Sequence, residues 1–292
     1  MRLLFRSLGR VFLRNNIHMK RIFFAFFVLA AVVSCKNESF VIIQIADAQL
    51  GFDAAVKGQA PGAEYVNDLS YEVALLQKAV AAVNAKKPDA VVFTGDQVNL
   101  PADEEQWNVF NEAVSGIDPA ISTLHIPGNH DVFISEGQVD ATSFSSRYGT
   151  DRFVYQNRKV CVVGINSNLI KYNDPREEEQ YEWMKSVLEQ AGEGAVKIIF
   201  CHHPFFLKDI EEEDGYFQIQ KSKRKKYFDM FLDNGVVAVY AGHLHDSSEG
   251  EYMGISMKTA TSAAYQLGEA KPSYRYIVVQ NGAVVHDAML GY

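Results

Sequence analysis

Five stretches of this chain end an apolar run in side chains that bind cations or move protons. They are Ile45-Ala46-Asp47-Ala48-Gln49, Phe93-Thr94-Gly95-Asp96-Gln97, Ile126-Pro127-Gly128-Asn129-His130-Asp131, Phe200-Cys201-His202-His203-Pro204 and Tyr240-Ala241-Gly242-His243-Leu244-His245. A strand running into a tight turn fixes the backbone and aims its polar residues at one point, as at the carboxyl ends of α/β strands. The donors are oxygens and imidazoles, with no thiolate in an obvious ligand position, so converging ends of this kind would hold divalent metal ions. A pair of ions needs a bridging carboxylate, mixed oxygen and nitrogen ligands and one open face. Asp96, an acid directly after a glycine, is the natural bridge. Asp47, Gln49 and His245 complete one site, and Asn129, His202 and His243 the other. Two divalent ions outweigh the carboxylates of Asp47 and Asp96, leaving a positive surplus suited to a phosphate dianion, and a metal-bound hydroxide would form near neutral pH. Phosphate ester hydrolysis is the reaction such a cluster favours. Taken singly, each residue has a plainer role: an Asp or Asn after a strand forms turns or caps helices, and a lone His is commonly a hydrogen-bonded, partly buried side chain. The combination in this order sets the pattern apart from accident.

The elements that must carry these residues alternate in type. Apolar runs predict strands at 40–46, 90–94, 121–126, 153–156, 159–166, 196–201 and 236–240. Helical spacing predicts helices over 68–86, where Leu69, Val73, Leu76, Val80 and Val83 recur, and over 103–115, 176–191 and 221–234. From Glu251 onward β segments dominate, at 257–260, 274–280 and 283–288, with Asn281-Gly282 marking a hairpin turn. Strand and helix alternating first, then strands, suits two packed sheets flanked by helices, with residues 40–292 as one α/β domain.

Residues 1–34 read as an export signal. Six cations, Arg2, Arg6, Arg10, Arg14, Lys20 and Arg21, precede the apolar run from Ile22 to Val33, and no acid appears before Glu38. That run is shorter than the roughly 20 residues a membrane span requires and has the length of a signal-peptide core. Val32-Val33-Ser34-Cys35 resembles a bacterial lipobox, so Cys35 is expected to become the lipidated amino terminus, with 35–39 as anchor and linker. Met19 is an alternative start. The expected product is an exported, membrane-anchored bacterial lipoprotein on the periplasmic or cell-surface side. Without residues 1–34 the chain keeps 22 Lys and Arg against 36 Asp and Glu, a balance that argues against a long nucleic-acid footprint. Cys161 and Cys201 lie inside apolar runs and are expected to be separate buried thiols rather than a disulfide.

The motifs together resemble the calcineurin-like metallophosphoesterases over essentially the whole chain after the signal. That family carries Asp-x-His, Gly-Asp-x-x-Asp/Asn, Gly-Asn-His-Asp/Glu, a His before a Pro-containing turn, and Gly-His-x-His. The resemblance implies a four-layer α-β-β-α sandwich and two divalent ions drawn from Mn, Fe, Zn or Mg. It implies Asp47, Asp96 and His245 on one ion and Asp96, Asn129, His202 and His243 on the other. His130 would protonate the leaving oxygen or hold the phosphoryl group, with Asn129 assisting, and Asn99, Asp131 and His203 would stand behind the ligands. Gln49 replaces the usual His ligand, as in the branch typified by the calcineurin-like phosphoesterase domain-containing protein phosphatase of animals; an amide oxygen favours Mn, Mg or Fe over Zn. The stretches 214–220 and 261–268 also look like that branch. Asn99 replaces the Asp that pairs with the catalytic His in protein Ser/Thr phosphatases, which would leave His130 less basic.

The expected activity is phosphomonoester hydrolysis on a phosphorylated small molecule or protein, by a monomer. The alternatives are a phosphodiesterase on cyclic nucleotides or phospholipid head groups, and a non-catalytic phospho-ligand-binding lipoprotein whose first metal site Gln49 has emptied. The runs Glu211 to Asp214 and Lys221 to Lys226 read as solvated faces. Tyr216 and Phe217 are expected to wall the cleft, while Tyr265 suits either a cleft wall or the core.

Overall fold

The computed structural model describes residues 39–60, 66–157, 159–192 and 194–292; the export segment and Cys35 lie outside the described residues. The first half runs β1 (Phe40–Ile45), α1 (Phe52–Gly58), α2 (Ser70–Lys86), β2 (Ala90–Thr94), α3 (Glu104–Val114), β3 (Ser122–Ile126), β4 (Phe133–Ser135), β5 (Gln138–Asp140) and α4 (Thr142–Tyr148). The second half runs β6 (Phe153–Gln156), β7 (Val160–Gly164), α5 (Ser167–Lys171), α6 (Glu177–Gln190), β8 (Val196–Cys201), α7 (Lys221–Asp233), β9 (Val236–Ala241), β10 (Glu249–Tyr252), β11 (Ile255–Thr259), β12 (Ser273–Gln280) and β13 (Ala283–Gly291). No helix among the described residues is long and apolar enough to cross a membrane.

Two mixed sheets result, in the orders β13-β12-β1-β2-β3 and β10-β11-β9-β8-β7-β6. Within the first, β1, β2 and β3 are parallel; within the second, β7, β8, β9 and β11 are. The antiparallel β12–β13 pair turns at Asn281-Gly282, both with positive φ as a tight hairpin turn requires. Between the sheets lie Ile42, Val92 and Ile126 from one side and Val162, Ile198 and Phe200 from the other. The outer face of the first sheet is covered by Leu76, Ala79, Val80 and Val83 of α2 and Phe110 of α3. Met184 and Leu188 of α6 with Tyr227, Phe228 and Phe231 of α7 cover the second. Strands buried on both faces read as continuous apolar runs, which is why they were legible. The four-layer order follows, with the carboxyl ends of β1, β2, β3, β8 and β9 carrying the five polar stretches.

Several short elements escape the sequence pattern: α1, the β4–β5 hairpin, α4, α5 and β10. Cys161 and Cys201 are free and buried, as expected. The basic start of α7 is largely exposed, as is the acidic run, but its cations have partners. Lys226 pairs with Glu178 at 2.5 Å, Lys223 with Glu177, Lys225 with Asp229 at 3.1 Å, and Lys221 with Glu211 and Glu213, each at 3.6 Å. Arg224 is fully buried and donates to the carbonyls of Ile210, Glu212 and Ile219. Lys221 and Arg224 thus link the basic run to the acidic loop, while Lys223 and Lys226 tie α7 to α6.

Candidate metal centre

The strand ends are locked to one another before any side chain is considered. Asp47 N donates to Gly95 O at 3.2 Å, Gln49 N to Asp96 O at 2.7 Å, and Gly242 N to His202 O at 3.0 Å. Ser262 Oγ donates to Asp47 O at 2.7 Å, and Gln44 Nε2 spans the two sheets from Thr94 Oγ1 to Ala241 O. The glycines are there because the loops nearly touch: a Cβ on Gly128 would lie 2.1 Å from Asp96 Oδ1, and one on Gly95 2.5 Å from Gly128 N. Asp47, Gln49, Asp96, His243 and His245 have φ of 52°, 40°, 50°, 66° and 54°. Left-handed conformations are uncommon and costly for such residues. Five at one end of one domain mark a place where geometry outranks local stability.

Asp47, Gln49, Asp96, His202, His243 and His245 are all buried, while Asn129 and His130 are half-buried. Ligand atoms of Asp47, Asp96 and His202 lie within 4.8 Å of one another. His202 Nδ1 faces the Thr94 carbonyl at 2.9 Å and must donate to it. In the neutral ring Nε2 is then a bare lone pair, 3.0 Å from Asn129 Oδ1, 3.3 Å from Asp96 Oδ2 and 3.1 Å from His243 Nδ1. His245 repeats the arrangement: Nδ1 donates to Tyr265 O at 2.6 Å and Nε2 faces Asp47 Oδ1 at 3.4 Å. Lone pairs converging on carboxylates need a cation between them. Burial alone would depress the His202 pKa, yet Asp96 beside it outweighs that and holds it up at about 9. For Asp96, burial is likewise outweighed by His202 and His130, which hold its carboxyl well below the usual range. Burial and the neighbouring His202 push His243 down to about 2, so it stays a neutral donor. Gln49 Oε1 and His243 Nε2 are buried with no hydrogen-bond partner. This set of carboxylates, amide oxygens and imidazoles fits two divalent ions.

The residues behind the cluster have defined tasks. Asp131 is fully buried and accepts from Gln97 N (2.9 Å), Val98 N (3.2 Å) and Gly128 N (2.8 Å), tying the Asp96 turn to the Asn129 turn. His130 N donates to Asp96 Oδ1 at 2.8 Å, and its Nδ1 donates to the main-chain carbonyl of Asn99 at 2.9 Å. The ring is thus oriented by the neutral main-chain carbonyl of Asn99 and not by its side chain. Ser167 Oγ accepts from His202 N at 3.1 Å and His203 N at 2.8 Å, so its hydroxyl hydrogen is left for His203 Nδ1 at 3.1 Å. With this hydrogen bonding His203 carries its proton on Nε2 and offers no lone pair there, although its ligand atom lies within 4.8 Å of those of His202 and His243.

Aromatic rings line the approach. Phe52 lies 6.3 Å from the His130 ring, 5.7 Å from His245 and 5.0 Å from Tyr265. Tyr216 and Phe217 lie 5.3 and 5.6 Å from His243, and Tyr172 5.9 Å from His203. Phe52 and Tyr172 were not singled out from the sequence; Phe52 opens α1 and Tyr172 caps α5, short elements that only tertiary contact creates.

A family model described as calcineurin-like phosphoesterase matches residues 40–247. The serine/threonine-protein phosphatase CPPED1 of Bos taurus is 31% identical over 261 residues, covering 85% of this chain and 82% of that one. A solved dimetal phosphatase from Danio rerio superposes with a TM-score of 0.58 at 16% identity, over 87% of this chain and 99% of that one. A purple acid phosphatase from Lupinus luteus seeds gives 0.63 at 14% identity, over 88% and 54%.

Proposed function

Because this chain belongs to the calcineurin-like phosphoesterase family and is a metal-dependent phosphoric ester hydrolase, we propose that its reaction is phosphomonoester hydrolysis. The observation that carries the site is the convergence of Asp96 Oδ2, Asn129 Oδ1 and His243 Nδ1 on His202 Nε2. The monoesterase reading is supported by the phosphatase that is 31% identical over most of the chain. One ion would be held by Asp47, Gln49, Asp96 and His245 and the other by Asp96, Asn129, His202 and His243; Gln49 favours Mn, Mg or Fe. Such ions supply Lewis acidity and lower the pKa of a coordinated water.

The chain's own residues do the rest. Thr94 O and Tyr265 O fix the tautomers that present Nε2 of His202 and His245 inward. With Nδ1 committed to Asn99 O, His130 has Nε2 as its working atom, which delivers a proton to the leaving oxygen. Asn129 Oδ1 points into the cluster, leaving its amide nitrogen for a phosphate oxygen. Export and lipidation at Cys35 belong to the same proposal. A tether there would join the domain at the Phe40 end of β1, with Asp47 beyond the other end. The test is Mn titration by calorimetry together with rates on p-nitrophenyl phosphate and bis-p-nitrophenyl phosphate. Two ions per chain and a preference for the monoester are expected; a preferred diester would overturn the monoesterase assignment. For the anchor, Cys35→Ser should move the protein from the membrane to the soluble fraction, and an unchanged partition would contradict it.

A further inference from the structure

From the two aromatic walls we infer that this cleft selects phosphate esters whose oxygen is joined directly to an aromatic ring. The inference rests on the phosphoesterase reading of the site and names its substrate class. Phe52 stands edge-on to His130 at 88°, and His130 is where the leaving oxygen receives its proton, so a leaving group meets Phe52 at once. Phe52 is itself braced by Tyr265, whose carbonyl holds His245. On a separate loop, Tyr216 is 66% exposed yet lies against His243. An exposed Tyr on a fixed loop is a platform with a free face.

That loop is bolted in place. Lys171 Nζ donates to Gly215 O at 3.1 Å and Gln218 O at 2.6 Å, and Gln220 Nε2 donates to Lys171 O at 2.7 Å. Phe217 packs edge-to-face on Tyr216 at 5.2 Å, so the platform is preformed. Preformed rings cost little ordering on binding, and edge-to-face or offset contacts reward a flat aromatic partner beyond its apolar area. Both walls reach the imidazoles of the cluster itself. A ring attached directly to the ester oxygen is held close enough to these imidazoles to meet the aromatic side chains beside them, whereas a small alkyl group such as a serine side chain would leave the ring faces unused.

The test is calorimetry on the Mn-loaded protein with inorganic phosphate, methylphosphonate, cyclohexylphosphonate, phenylphosphonate and adenosine monophosphate. Phenylphosphonate should bind roughly tenfold tighter than methylphosphonate and several-fold tighter than cyclohexylphosphonate. In Phe52→Leu or Tyr216→Leu, where bulk is kept and the ring removed, the phenyl preference should fall to about twofold relative to phosphate measured on the same protein. Equal binding of phenyl and cyclohexyl groups would overturn the inference. So would tighter binding of adenosine monophosphate, whose ring is set off from phosphorus by a ribose. Failure of inorganic phosphate to bind at all would instead overturn the underlying reading of the cleft.

Discussion

Asp131→Asn tests whether one buried carboxylate holds the two central turns together. Oδ1 of Asp131 accepts from Gln97 N and Val98 N, and Oδ2 accepts from Gly128 N at 2.8 Å. An asparagine can satisfy the first two with its oxygen, but its amide then points hydrogens at the Gly128 N–H. The change removes a charge-assisted bond of ~1.5–3 kcal/mol and leaves a facing pair of buried donors costing ~1–3 kcal/mol. Burial and the neighbouring Asp96 push the Asp131 carboxyl well above the usual carboxylate range, so losing that costly charge offsets a good part of this and the net is about 2–3 kcal/mol. For a domain of this size that is a fall of roughly 4–12 °C in Tm, read by thermal denaturation with a chelator present so that metal binding does not contribute. Because Gly128 and Asp96 are interlocked, Mn affinity should fall as well. A Tm within about 2 °C of wild type, with unchanged Mn affinity, would refute the idea that Asp131 positions the cluster.

Asp96→Asn should abolish turnover and the second equivalent of Mn while the circular dichroism spectrum stays native; retained activity would sink the bridging assignment. Gln49→His replaces an amide oxygen by an imidazole and should tighten binding of the first ion, Zn most of all, seen as a lower calorimetric Kd; an unchanged Kd would remove Gln49 from the ligand set. His130→Ala should lower kcat by roughly 10²–10⁴-fold, more for phenyl phosphate than for p-nitrophenyl phosphate, and equal losses on both would deny it the proton-donating role. Asp174, whose side chain is 1% exposed, feels burial raising its pKa, but hydrogen bonds from Arg176 and Val139 N outweigh that and hold it at about 2. Its stabilisation is therefore present above the ordinary value of 3.8 and lost as pH falls through 2. With Arg176 half-exposed the pair is worth about 1–2 kcal/mol, so Asp174→Asn should be less stable than wild type by that amount at pH 7, with the gap closing as pH falls through 2.

The ligands were legible because each ends a strand buried on both faces, and such strands announce themselves as apolar runs closed by Gly-Asp, Gly-Asn-His-Asp or Gly-His-Leu-His. The layer order followed from strand and helix alternation. What stayed hidden was carried by the main chain or by distant contacts. That Asn99 O orients His130 and that Thr94 O and Tyr265 O set the other tautomers are facts about backbone groups, which leave no mark on residue type; the Ser167 hydroxyl that meets His203 Nδ1 comes from 36 residues away. Phe52 sits on a seven-residue helix that lacks a side-chain cap, and α5, which holds Lys171, is five residues long. Helices so short exist only through packing. The pairing of Lys223 and Lys226 with Glu177 and Glu178 was likewise a matter of which faces α6 and α7 present to each other.

The most direct test of the dinuclear phosphoesterase is to follow Mn binding and p-nitrophenyl phosphate turnover in one titration of metal-depleted protein. The account predicts two bound ions per chain, with turnover appearing as the second site fills and absent in Asp96→Asn. Full turnover with one ion or none would contradict it.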